Sequence, residues 1–179
     1  MTARWSLVST MHGVPETILP CIAHHLQSDA DVLHIYLDAP NPTVEAALAT
    51  QPRCLVTVCD AAYWATHRKG RPDGVVRRQM ANLRHAKRNG TSDWLVHVDS
   101  DEFLVSANPE AGLSLGAELS RVPDHHDWAR ICPLERVLPA GATPDTIFDG
   151  AFRAVTTDPS LVTAVYGDAA PFLHKGLSG

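Results

Sequence analysis

The chain has 179 residues, 45% hydrophobic and 20% charged, with a net charge of −5. That length and balance fit one ordinary globular domain over residues 1–179 with a sizeable core. They offer no basic footprint for nucleic acid and no apolar run long enough to cross a bilayer. With no signal-peptide pattern at the N-terminus, a cytoplasmic protein without an integral membrane segment is expected.

In chain order, Trp5 to Ser9 is predicted as a first strand, with Thr10-Met11-His12-Gly13 as the loop after it. Pro15 opens a helix to about Leu26, with Ile18, Leu19, Ile22 and Leu26 on one face. Pro20 stands where it would delay or kink that helix. Val32 to Leu37 is a second strand, closed by Asp38-Ala39-Pro40-Asn41-Pro42, and Thr43 to Ala49 a short helix. Cys54 to Val58 is a third strand ending at Asp60. The segment His67 to Gly74 is a polar loop. Val75 to Asn89 is a helix stopped by Asn89-Gly90. Val76, Met80 and Leu83 form its apolar stripe and Arg77, Arg84 and Arg88 its basic one, with Gln79 and Asn82 at the border.

Trp94 to Val98 reads as a fourth strand, apolar enough to be covered on both faces. It runs into Asp99-Ser100-Asp101-Glu102. Two residues apart on extended backbone, Asp99 and Asp101 would point the same way. A pair of carboxylates at the carboxyl end of a central strand makes a hard-oxygen site for Mg²⁺ or Mn²⁺, with room for a ligand's phosphates. Beyond it, Leu113 to Leu119 is predicted helical, Ala129 to Pro133 a fifth strand, Pro139 to Gly150 turn-rich and Thr163 to Tyr166 a short strand. The stretch from Pro171 to Gly179 does not read as a polar tail, which suggests a shortened C-terminal part.

Strands alternating with helices imply an α/β fold with an open, mostly parallel sheet and helices on both faces. Ligands of such sheets bind outside the carboxyl ends of the strands. Ser9, Thr10, Asp38, Asp60, Asp99 and Asp101 belong to that rim. Plainer readings stand beside each. Asp38 could serve its turn, Asp60 could cap a strand end, and Gln79 and Asn82 could be helix-edge polar residues or partners of the acids. Tyr63 and Trp64 could stack on a sugar or simply pack under the loop. Cys21, Cys54, Cys59 and Cys132 include no CxxC pair and read as reduced thiols. The doublets His24-His25 and His125-His126 lack ligand spacing and read as surface or helix-end residues.

The strand and its acids, Trp94 to Leu104, resemble the "DWLxHxDxDEFL" signature of glycosyltransferase family 2-like proteins of the GT-A fold. Ser9-Thr10 after the first strand, Ala23-His24-His25-Leu26 beside "aYHL" and Ile35-Tyr36-Leu37-Asp38 beside "iYlyD" extend the likeness, as does the helix from Arg77 to Asn82. It covers about Trp5 to Leu104 and is thin beyond. The resemblance implies a GT-A-type, Rossmann-like sheet and transfer of a sugar, with inversion, from a nucleotide diphosphate sugar donor to a glycan or other hydroxyl acceptor, with Mn²⁺ or Mg²⁺ as cofactor. It further implies Asp101 as direct metal ligand, and Asp99 at the ribose or, through water, at the metal. Asp38 and Asp60 would lie at the nucleotide, Ser9 and Thr10 around the base, and Gln79 and Asn82 at polar positions nearby. Glu135 stands as catalytic base and His174 as a further metal ligand, the two weakest carry-overs. Arg68, Lys69 and Arg71 could cover the diphosphate. Two other readings remain open: a non-catalytic, truncated nucleotide-binding module, and another Mg²⁺- or Mn²⁺-dependent phosphate-transfer enzyme. A haloacid-dehalogenase-type phosphatase is disfavoured, since Ser9-Thr10 stands where its Asp would. A nucleotidyltransferase is disfavoured by the lack of a Gly-rich element ahead of the acids.

Overall fold

A computed structural model of the chain describes residues 2–105, 114–145, 149–154 and 158–166. The chain divides into two compact units, Met1–Asp127 and Trp128–Gly179. In the first the order is β1 (Trp5–Met11), α1 (Pro15–His25), β2 (Val32–Leu37), α2 (Pro42–Leu48), β3 (Cys54–Val58), α3 (Ala61–Ala65), α4 (Val75–Asn89), β4 (Trp94–His97) and α5 (Leu115–Leu119). The strands form one parallel sheet in the order β3-β2-β1-β4. This is an α/β unit compatible with a Rossmann-like fold.

The period of two along each strand sorts side chains to two faces. Leu7, Met11, Leu33, Ile35, Leu37 and Val96 face Ile18, Cys21 and Ile22 of α1 and Val44 and Leu48 of α2. On the other face Val8 and Tyr36 pack with Trp64 of α3 and Ala86 of α4. Each fully buried aliphatic side chain contributes roughly 1.5–3 kcal/mol. Capping chemistry sets the helix starts. Asn41 accepts from the Val44 amide at 3.3 Å while Glu45 accepts from the Asn41 amide at 2.9 Å, a reciprocal capping box. Asp29, far upstream, accepts from the amides of Leu115 and Gly116, both at 3.1 Å, and so holds the start of α5. A Cβ on Gly116 would lie 2.6 Å from the Ala3 carbonyl, so only glycine lets that helix approach.

Several expectations are corrected. β1 runs on to Met11 rather than ending at Ser9, because the β1–β2 register continues through Thr10↔Tyr36 and Met11↔Leu37. Pro20 lies inside α1 without ending it. β4 is an edge strand of the described sheet rather than a central one. It stops at the exposed His97, while Trp94 and Val96 pack into the core on one face and Leu95 is partly buried on the other. Ala61–Ala65, to which no element was assigned from the sequence, is a short helix.

In the second unit the strand expected at Ala129 to Pro133 lies instead at β5 (Leu134–Val137), just past the proline that lacks a ladder donor. It pairs antiparallel with β6 (Ala151–Ala154), with the turn-rich segment between them. Thr163 to Tyr166 is not a strand but the end of helix α6 (Pro159–Tyr166). Asp158 accepts from the Ser160 amide at 2.8 Å, and an acidic cap followed by proline starts a helix upstream of the β-branched residues. Among the described residues no helix is long and apolar enough to cross a membrane.

Candidate functional site

From β1 the chain builds outward to β2 and β3, then crosses to β4 on the other side of β1. That reversal makes the carboxyl ends of β1 and β4 the topological switch point, the place where ligands of open α/β sheets bind.

Helix α4 lies along this rim and reaches three strand ends. Arg78 Nε and Nη2 donate to Asp38 Oδ1 and Oδ2, both at 2.9 Å, beyond β2. Asn82 Nδ2 donates to Thr10 Oγ1 at 2.9 Å, in β1. Gln79 Nε2 donates to Asp99 Oδ1 at 2.7 Å, beyond β4. Thr10 and Asp38 project toward α4 because they share the parity of Val8 and Tyr36 in the paired register. The helix therefore buries a polar face, Arg78, Asn82 and Ala86, at i, i+4 and i+8. Its expected apolar stripe points outward instead: Val76 is 69% and Met80 41% exposed, with Leu83 alone partly buried. Three polar anchors at strand ends outweigh the apolar side chains in setting the helix's rotation.

Asp38 is 8% exposed and saturated. Besides the bidentate Arg78, Arg71 Nη2 lies 3.1 Å from its Oδ2. Arg78 Nη1 also donates to the carbonyls of Pro72 and Asp73, at 3.1 and 2.8 Å, so one guanidinium ties the polar loop to the rim. A ribose hydroxyl at Asp38 would have to share oxygens that two guanidiniums already hold. Asp60 caps α3, its Oδ1 accepting from the Tyr63 amide at 2.8 Å.

Asn82, fully buried, is the hub of the site. Its Oδ1 accepts from the Tyr63 hydroxyl at 2.8 Å, and Cys59 Sγ lies within 3.9 Å. Burial pushes Tyr63 up to about 12 and Cys59 up to about 12, so the phenol keeps its proton and the thiol is inert. Ser9 has the opposite parity to Thr10, is fully buried, and its hydroxyl has no hydrogen-bond partner among the described residues.

The acids after β4 sit in a turn, not on extended backbone. The Glu102 amide donates to the Asp99 carbonyl at 3.1 Å, and Glu102 Oε2 accepts from the Asp99 amide at 2.8 Å. The expected same-side geometry of two strand residues therefore does not apply. Asp99 is turned to Gln79. Asp101 is exposed, and its carboxylate makes no hydrogen bond or ion pair among the described residues. Among these residues no three His, Cys, Asp or Glu side chains converge as a metal cage. Two oxygen donors in an open turn suit a hard cation that takes its remaining ligands from phosphates and water.

Beside the rim, Met11, Ile18 and Leu37 floor a groove of about 170 Å³ walled by Gly13, Pro40 and Asn41. Asn41 Nδ2 donates to the Gly13 carbonyl at 3.3 Å and so joins the loops after β1 and β2. No family model matches this chain, and neither a curated protein nor a solved structure matches it.

Of the other expected site residues, Glu135 lies on β5 of the second unit, and its side chain is outside the described residues, as is His174. Sequence reasoning missed Arg78 and the hub made by Tyr63 and Cys59. For Arg78 a signal existed: it is i−4 from Asn82, on one helical face.

Proposed function

We propose that this chain is a metal-dependent glycosyltransferase of GT-A type, moving a sugar from a nucleotide diphosphate sugar to a hydroxyl acceptor. The observation that carries the reading is the rim itself. One helix holds Thr10, Asp38 and Asp99 at three parallel strand ends, and Asp101 stands exposed in the turn after β4, the strand beside β1.

The groove lined by Met11, Ile18 and Leu37 would take the nucleoside base, beside the loops after β1 and β2. Thr10 accepts from Asn82 through its oxygen, so its own O–H remains to donate to the ligand. Asp101 and Asp99 would hold the cation, with Gln79 fixing the direction of Asp99. Bound there, Mg²⁺ or Mn²⁺ supplies charge neutralisation for the departing diphosphate. Arg71 is half-exposed and shares Asp38 with Arg78. It can turn to a phosphate without leaving Asp38 unpaired.

Calorimetric titration of UDP, GDP, CDP and ADP, with and without Mn²⁺, tests this reading. At least one should bind in a cation-dependent way, and Asp101→Ala should abolish that dependence. Binding indifferent to the cation, or none at all, overturns it. Sugar release from the matching nucleotide sugar then separates a transferase from a module that only binds.

A further inference from the structure

The turn that carries Asp99 and Asp101 is pinned at both ends, and the downstream pin comes from the doublet His24-His25. Upstream, the Val98 amide donates to the Val8 carbonyl at 3.2 Å, which continues the sheet. Downstream, residues 102–105 belong to no helix or strand, so their backbone groups need partners from elsewhere.

Helix α1 supplies them. His25 Nδ1 lies 2.8 Å from the Cys21 carbonyl, one turn back. An N–H there leaves Nε2 as an acceptor, and Nε2 takes the Leu104 amide at 3.2 Å. His24 Nε2 donates to the Leu104 carbonyl at 2.7 Å. Both polar backbone groups of one residue are thus held by adjacent side chains. Cys21 Sγ approaches the Glu102 carbonyl at 3.5 Å. The Phe103 ring packs edge-on to His24 at 5.2 Å and parallel to His25 at 6.3 Å. The doublet is therefore not a surface feature: His25 is fully buried. Burial lowers it to about 4, which keeps the ring neutral and its acceptor available. His125 and His126, the other doublet, are exposed.

We propose that His24 and His25 are positioning residues for the acidic turn, clamping the Leu104 backbone so that Asp101 and Asp99 meet the cation in a fixed geometry. This rests on the glycosyltransferase reading for the identity of the ligand, but the clamp can be tested apart from it.

His25→Gln and His25→Asn discriminate. Glutamine can bring a carbonyl oxygen to the place of Nε2, whereas asparagine ends at the place of Nδ1. Four quantities are measured on each: Mn²⁺ affinity by paramagnetic resonance titration, Mn²⁺-dependent and metal-free UDP affinity, the thermal midpoint, and amide exchange over residues 99–104. His25→Asn should weaken Mn²⁺ binding about 10- to 100-fold, as loss of an orienting partner does. Metal-free UDP binding should be unchanged and exchange in the turn faster. His25→Gln should behave as the parent. His24→Phe keeps a ring against Phe103 but loses the donor, and should shift Mn²⁺ affinity in the same direction. It also serves if His25→Asn does not fold.

Equal Mn²⁺ affinity in the parent, His25→Asn and His24→Phe overturns the clamp. So does a parallel loss of metal-free and metal-dependent binding, the mark of a purely structural role. If the parent binds neither Mn²⁺ nor nucleotide, the glycosyltransferase reading falls. Exchange then decides the clamp, and unchanged protection in His25→Asn overturns it.

Discussion

Two aspartates follow strands on either side of β1, at the same rim of the sheet, and their surroundings are opposite. Asp38, after β2, is buried and gripped by Arg78 through both oxygens, with Arg71 as a second partner. Asp101, after β4, is exposed in a turn held by backbone bonds and by the rings of His24 and His25. Removing Asp38 from water costs energy that only its guanidiniums offset. Asp101 stays hydrated and available. A strand-end acid is therefore no single kind of residue: one here fastens a loop and a helix to the sheet, and the other is free to take a ligand.

The largest expected effect breaks the closed side of that contrast. Arg78→Met strands a buried carboxylate and should cost about 3–5 kcal/mol in urea unfolding. The double variant Asp38→Leu with Arg78→Met should recover much of it, since two apolar groups leave no unpaired charge. If the single variant unfolds like the parent, Asp38 is not the strut described.

Acid sharpens the open side. His25 is lowered from 6.5 to about 4, chiefly by burial, and burial also lowers His34 and His85. Their unfolded forms bind protons first, so stability is fully present above about pH 6.5 and falls as pH drops toward 4. For His25 the slope approaches about 1.4 kcal/mol per pH unit inside that window, and His34 and His85 act in the same direction. His25→Gln should flatten the profile, and an unchanged slope would remove His25 from the account.

Asp101→Ala should abolish cation-dependent nucleotide binding yet leave stability within about 0.5 kcal/mol, as for an exposed side chain without partners. Gln79→Ala frees Asp99 and should weaken Mn²⁺ affinity by about tenfold, with little change in melting. The smallest effect is expected at Asp60, where Ala removes a helix cap worth about 1 kcal/mol. Nucleotide binding should survive that change, and its loss would return Asp60 to the site.

Much of the frame was legible from local signals. Apolar β-branched runs marked β2 and β3, Asn89-Gly90 closed α4 at its observed end, and alternating elements implied the parallel sheet. The rim of strand-end residues followed from that topology. The sequence left Gln79 and Asn82 open between helix-edge residues and partners of the acids; Gln79 does bond Asp99, while Asn82 bonds Thr10 instead. Where local rules failed, a longer-range contact had overruled them. Val76 and Met80 look like a buried stripe by period, but Arg78, Gln79 and Asn82 find partners on three strands and turn the helix the other way.

Sequence alone determined the α/β class, most element positions and the presence of acids at the sheet's carboxyl edge, because periodicity, caps and turn residues act within a few positions of one another. Tertiary structure decided which acid is paired and which is open, that Asp99 and Asp101 share a turn rather than a strand face, and that His24 and His25 hold Leu104. Those outcomes depend on residues some 20 to 80 positions apart meeting across the sheet, where burial and hydrogen-bond satisfaction outrank local propensity.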